Sequence, residues 1–248
     1  MAELKVSDYL VKNYDGYYEQ EDSEWHRIIA IDKAENIISL SKKYAHDSII
    51  EIGVGEGSIL KRLSELGFGK KLYGLEISAS GVEATRKKKI ESLVECKVFD
   101  GYNVPYEDNK FDLAVFSTVV EHLEYPRRLI YEASRVAKYI FVEVELLDTI
   151  RLSHDFVFDK GGRINFYSPK TIRKLVQTCG LEVLEQKTTN PSLGTYACYL
   201  GKKAGIIYFV KNAFLKILPR FAPVVFAYHS SLICQKKSGR NETDIAKS

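Results

Sequence analysis

The 248-residue sequence contains only four cysteines, and Cys96, Cys179, Cys198 and Cys234 lie far apart with no CxxC pair and no histidine at finger-like spacing. That pattern argues against a structural zinc module or a disulfide framework and predicts reduced, mostly buried thiols. A large excess of one charge is also lacking, since 36 Lys plus Arg against 33 Asp plus Glu leave a net charge of +3. Nothing in that balance calls for nucleic acid as a partner. The first residues carry Glu3, Lys5 and Asp8 where a secretion signal needs an apolar stretch. The longest apolar region, Ala204 to Tyr228, is broken by Lys211, Lys216, Pro219, Arg220 and Pro223. A cytoplasmic chain without stable membrane insertion is expected. Internal repeats and an interdomain linker are missing as well.

What is present is enough apolar material for a core, 45% of residues against 28% charged. Apolar positions between Trp25 and Tyr44 recur at the helical period and predict an amphipathic helix. Ser48 to Ile52 reads as a buried strand that runs into Gly53, Gly55 and Gly57, after which Ser58 to Leu66 resumes helical spacing. The alternation continues with strands at 71–75, 94–99, 111–116 and 139–144 and helices at 78–89 and 126–137. Such alternation predicts a parallel sheet covered on both faces. Residues 147–168 lose the period and suit a lid or substrate loop. A helix at 170–178, strands at 181–188 and 230–235, and a disordered tail at 239–248 complete the chain. The expected organisation is one domain over 1–238, with an N-terminal helical cap at 1–45 and an apolar insertion at 203–228. That insertion is read as a helical lid or a homodimer contact in preference to an element resting on a membrane surface.

Three glycines between a buried strand and a helix let the backbone approach a ligand closely and present helix-start amides to it. The spacing is E-x-G-x-G-x-G from Glu51 to Gly57, with Ser58 where a dinucleotide fingerprint would place its third glycine. A nicotinamide oxidoreductase is thereby weakened but stays open, as does a non-catalytic cofactor-binding protein. The basic run Arg86-Lys87-Lys88-Lys89 closes a helix and complements its dipole.

The ordered motifs Glu51-Ile-Gly-Val-Gly-Glu-Gly57, Leu75-Glu76, Asp100-Gly101, Phe111-Asp-Leu-Ala-Val-Phe-Ser117 and Val120-Glu-His-Leu-Glu-Tyr-Pro126 resemble the class I S-adenosylmethionine-dependent methyltransferases. Within them the resemblance is to the small-molecule branch that includes the ubiquinone and menaquinone enzymes. It implies an α/β, Rossmann-like, seven-stranded, mostly parallel sheet with helices on both faces and an antiparallel last strand. It also implies methyl transfer from S-adenosylmethionine to a small molecule. Glu76 becomes the ribose ligand, with Ile77 beside it; Asp100 and Gly101 flank adenine, and Ser117 lies near the amino-acid portion. Glu51, a carboxylate inside an apolar strand, meets the cofactor's ammonium or a nearby cation. Arg27 is a candidate for the methionine carboxylate.

Methyl transfer to oxygen often requires a base. His154, in the aperiodic loop, ranks ahead of His122. Asp155, Arg163 and Tyr167 are candidate substrate residues, Arg163 for an ion pair or a phosphate. Metal-using relatives carry an acidic residue where Thr118 stands, so no metal is expected. The run at 162–169 resembles a segment of surface-sugar methyltransferases. A sugar, nucleotide-linked sugar or phosphorylated metabolite of cell-surface glycan synthesis is therefore the leading acceptor, with a quinone or lipid second.

Overall fold

Seven strands form one sheet in the order β3-β2-β1-β4-β5-β7-β6. They are β1 (Ser48–Ile52), β2 (Lys71–Glu76), β3 (Leu93–Val98), β4 (Phe111–Ser117), β5 (Ala137–Glu145), β6 (Leu181–Thr189) and β7 (His229–Lys236). This computed structural model describes residues 5–18, 24–153, 155 and 162–237. The first five strands are parallel to one another, while β7 runs antiparallel between β5 and β6. The expected sheet with an antiparallel last strand is therefore the observed one.

Successive side chains alternate between the two faces of the sheet, and because both faces of β1 and β4 are covered, these strands are largely apolar. Ile50 and Ile52 of β1, with Ala114 and Phe116 of β4, enter one core. Ile49, Leu113 and Val115 enter the other. Helices α5 (Pro126–Val136) and α6 (Pro169–Thr178) cover the first face through Leu129, Ile130, Ile172 and Val176. Helices α2 (Glu24–Ser41), α3 (Ser58–Glu65) and α4 (Ala79–Lys87) cover the second through Ala34, Ile37, Leu60, Leu63 and Val82. Local chemistry fixes where helices start: Ser78 accepts the Gly81 amide at the head of α4, and Ser168 and Thr171 cap α6 reciprocally with Pro169 in the first turn.

Helix α1 (Asp8–Tyr18) packs at the head of α4 through Asp15. Helix α7 (Leu193–Leu200) precedes the apolar insertion, which resolves into α8 (Ala204–Ile217) and α9 (Ala222–Val225). The strand order reverses between β1 and β4, a topological switch point, and ligands of open parallel sheets enter at the carboxyl ends of the strands there. Because β7 runs the other way, its first residue, His229, lies at that same edge, opposite Glu145.

Candidate functional site

The turn after β1 needs left-handed backbone at Gly53, Gly55 and Gly57, with φ of 81°, 59° and 84°. At Gly55 a side chain is excluded twice, because a Cβ there would lie 2.9 Å from the Tyr18 hydroxyl. Glu76, at the tip of β2, closes on this turn and accepts the Gly55 amide at 2.8 Å and the Ile77 amide at 2.8 Å. Burial raises its pKa even though these amides pull the other way. Glu51 is buried at the base of the turn, and its Oε2 has no hydrogen-bond partner among the described residues. Desolvation holds its carboxyl well above the usual range, opposed by the charge of Lys33.

The N-terminal segment covers this turn. Asp15 of α1 accepts from Ser78 Oγ at 2.7 Å and from Ser80 N at 3.3 Å, which pins α1 to the head of α4. Tyr14 stacks near Tyr18 with centroids 6.0 Å apart and meets the His122 ring edge-on at 6.3 Å. Val6 donates its amide to Asp100 O at 3.0 Å and packs on Gly101, whose φ is 92°. The Asp100 carboxylate holds the following turn by accepting the amides of Tyr102 and Asn103 at 2.8 and 2.7 Å. Burial raises its pKa, but these bonds and that from the Asn103 side chain outweigh it and leave the group lowered.

A second polar cluster occupies the ends of β4, β5 and β7. Glu143 is fully buried and accepts from Ser231 Oγ at 2.6 Å, Asn36 Nδ2 at 2.7 Å and Ser117 Oγ at 3.3 Å. His229 lies between two carboxylates, with Nδ1 3.9 Å from Glu143 Oε1 and Nε2 3.7 Å from Glu145 Oε1. Burial lowers the imidazole pKa, but Glu145 and Glu143 together carry it above its usual value. Glu145 also pairs with Arg163 at 2.9 Å. Burial raises the Glu145 pKa, but His229 and Arg163 overcome it and hold the carboxyl down at about 2. Beside them, burial pushes Glu121 up to about 7, and its Oε1 accepts the Glu145 amide. Lys33 of α2 donates to Thr118 Oγ1 at 2.6 Å, and Thr118 holds a left-handed φ of 56° that a β-branched residue adopts only under strain.

The structure therefore gathers Glu51, Gly53, Gly55, Gly57, Glu76 and Ile77 at one turn, with Asp100, Gly101, Ser117 and His122 along the same edge. Three other candidates lie apart from these groups. Arg27 is exposed on α2, and the α2 cation directed at the sheet edge is Lys33, six residues further on. Tyr167 is buried in the core instead of lining a cleft. Asp155 is exposed, and its amide donates to Ser153 Oγ. Arg163 is an ion-pair residue, engaged by Glu145. His154 and the tail at 239–248 lie outside the described residues. Sequence reasoning missed Glu143, Glu145, His229, Lys33 and Asn36. The signal for the first two was available, since Val142-Glu143-Val144-Glu145 places two carboxylates on one face of an otherwise apolar strand.

A family model for a methyltransferase domain matches residues 50–139. An uncharacterised protein of Methanocaldococcus jannaschii is 31% identical over 135 residues, covering 54% of this chain and 57% of that protein. The mitochondrial ubiquinone biosynthesis O-methyltransferase of Candida albicans is 27% identical over 90 residues, covering 34% of this chain and 27% of that enzyme. The alignments thus span a little over half and about a quarter of these curated relatives. Among solved structures, the geranyl diphosphate C-methyltransferase of Streptomyces coelicolor, in complex with Mg2+, geranyl diphosphate and S-adenosyl-L-homocysteine, superposes with a TM-score of 0.65. That match covers 94% of this chain and 99% of the other at 12% identity, a likeness of fold.

Proposed function

We infer that this chain, whose residues 50–139 carry a methyltransferase domain, is a class I S-adenosylmethionine-dependent methyltransferase acting on a small molecule. The observation that carries the reading is the buried Glu51 oxygen without a hydrogen-bond partner among the described residues, placed beside the Gly53–Gly57 turn. A buried acceptor of that kind is costly alone and fits a cationic donor, which the amino group of S-adenosylmethionine provides. When bound, S-adenosylmethionine supplies the methyl group on a sulfonium sulfur and leaves as S-adenosylhomocysteine.

The chain's own residues then divide the work. Glu76 accepts the ribose hydroxyls, Asp100 and Gly101 flank the base, and Ser117 lies toward the amino-acid portion. Tyr14 and Tyr18 on α1 exclude water from above the turn. The acidic edge formed by Glu51, Glu76, Glu121, Glu143 and Glu145 favours a positively charged cofactor, whose charge promotes ionisation of the buried carboxyls, over a pyrophosphate. That preference argues against the nicotinamide alternative.

His229 is the base that the geometry favours. Fully buried Glu143, fixed by Ser231, Asn36 and Ser117, lies on the Nδ1 side of the ring, while Nε2 faces the less buried Glu145. This carboxylate–imidazole arrangement lets neutral His229 take the proton of an acceptor hydroxyl as the methyl group is transferred. The polar side chains of this cluster suit an acceptor with several hydroxyls, in keeping with a sugar or nucleotide-linked sugar of cell-surface glycan synthesis. Because Arg163 is already paired with Glu145, hydroxyl recognition is favoured over phosphate recognition.

The test follows incorporation of labelled methyl groups from S-adenosylmethionine into a panel of sugar and nucleotide-sugar acceptors. His229→Asn lowers turnover by about 10²-fold or more and leaves S-adenosylhomocysteine affinity unchanged. Wild-type turnover rises with pH along a limb above 6.5, as the imidazole loses its proton. Near-normal turnover by the variant removes His229 from the chemistry.

A further inference from the structure

The insertion between β6 and β7 turns an apolar helix face outward. In α8, Ile206, Val210, Ala213 and Ile217 recur at helical spacing and form one stripe, with Phe209 beside it. A stripe facing water is normally polar, yet Ile206, Phe209 and Ile217 are 72%, 66% and 74% exposed, and Phe221, just beyond the helix, is 64% exposed. The roll of the helix is fixed from its other side. Lys211 is buried, donates to Ala227 O at 2.6 Å, and lies 4.9 Å from the ring centres of both Tyr196 and Tyr228. Phe214 and Leu215 pack against the core. Turning the stripe inward would tear out that anchor.

The charges that the insertion itself carries are of one sign. Lys202 and Lys203 precede α8, Lys216 and Arg220 lie at its far end, and all four are exposed. None of them enters an ion pair among the described residues. The sequence has no Asp or Glu from position 186 to 241. Next to the stripe, a groove of about 530 Å³ is lined by Ile206, Ile207, Val210 and Phe226, with the Arg151 guanidinium 4.8 Å from the centre of the Phe226 ring.

We propose that this face docks the protein on the surface of an anionic lipid bilayer. Helix α8 lies in the headgroup plane with Ile206, Phe209, Ile217 and Phe221 below it and the flanking cations at the level of the lipid phosphates. Charge selects this occupant over a second copy of the chain. In a twofold contact through the stripe, parallel helices oppose identical cations, and antiparallel helices oppose Lys202 and Lys203 to Lys216 and Arg220, with no acidic residue of the insertion itself to neutralise them. Among the described residues no helix is long and apolar enough to cross a membrane, so the contact is peripheral. The inference goes beyond methyl transfer and does not depend on it.

Vesicle flotation of the full chain tests it, with pure phosphatidylcholine compared with an equimolar mixture of phosphatidylcholine and phosphatidylglycerol. The protein is expected to float with the anionic vesicles, to stay behind with the neutral ones, and to release as salt is raised. Lys216→Gln/Arg220→Gln weakens partitioning by about 30-fold, the scale for two cations at an anionic surface. Phe209→Ser/Ile217→Ser weakens it at least about tenfold. Both double variants keep the wild-type melting temperature, since all four side chains are exposed. Failure to float with anionic vesicles, flotation that neither double variant reduces, or a stable dimer in sedimentation that Ile217→Ser dissociates would each overturn the proposal. None of these outcomes bears on cofactor binding, which calorimetry reads separately.

Discussion

Replacing Glu145 by Gln probes the polar cluster that the site is built on. In the native protein this carboxyl faces Arg163 at 2.9 Å and His229 at 3.7 Å and titrates at about 2 instead of 4.5. A group so depressed contributes about 3 kcal/mol of folding stability at neutral pH. The contribution is fully present above 4.5, where the unfolded chain is also ionised, and is lost as pH falls through the folded value, leaving about 1 kcal/mol at about pH 3. Urea melts of wild type and Glu145→Gln across this range should therefore show a gap of about 3 kcal/mol at neutral pH that narrows on acidification. In the same variant the His229 imidazole, followed by its NMR signal, should titrate at lower pH than in the wild type, because one of the two carboxylates holding it up is gone. Equal stability at neutral pH, or a gap that does not change with pH, would refute the view that Glu145 is a charged partner of Arg163 and His229.

Two further substitutions address the cofactor turn. Glu76→Ala should weaken S-adenosylhomocysteine binding by about 1–3 kcal/mol, the scale of lost charge-assisted hydrogen bonds, and unchanged affinity in calorimetry would remove Glu76 from the site. Glu51→Gln should act in opposite directions on the two states. Because burial raises the folded pKa of Glu51, its ionisation costs stability above 4.5, so the variant without ligand should melt no lower than wild type at neutral pH while binding S-adenosylhomocysteine more weakly. A lower melting temperature with intact affinity would contradict this account.

Most of the sheet was legible because its strands are buried on both faces and its turns carry glycine, proline or a serine cap. Ser48 to Ile52 matches β1 residue for residue, and the other strands differ from expectation only at their ends. The glycine turn and Glu76 were legible for the same reason, since local spacing alone places them at the mouth of β1 and β2. The base was not. His229 becomes a neighbour of Glu145 only because β7 inserts antiparallel beside β5, more than eighty residues later in the chain, and no local pattern reports that pairing. Arg27 and Lys33 occupy one helix, and which of them faces the sheet depends on how α2 rolls onto α3 and β7. The insertion's sequence is apolar and broken by lysines. That Lys211 would be its buried anchor and the aliphatic residues its exposed face inverts the usual order, so periodicity alone could not assign the sides.

The central claim is that the turn at Gly53–Gly57, bounded by Glu51 and Glu76, holds an S-adenosyl nucleoside. Isothermal calorimetry of the full chain with S-adenosylhomocysteine and, in parallel, with NADH tests it most directly. The account predicts saturable one-to-one binding of S-adenosylhomocysteine and no heat from NADH. Binding of NADH with none of S-adenosylhomocysteine would contradict it.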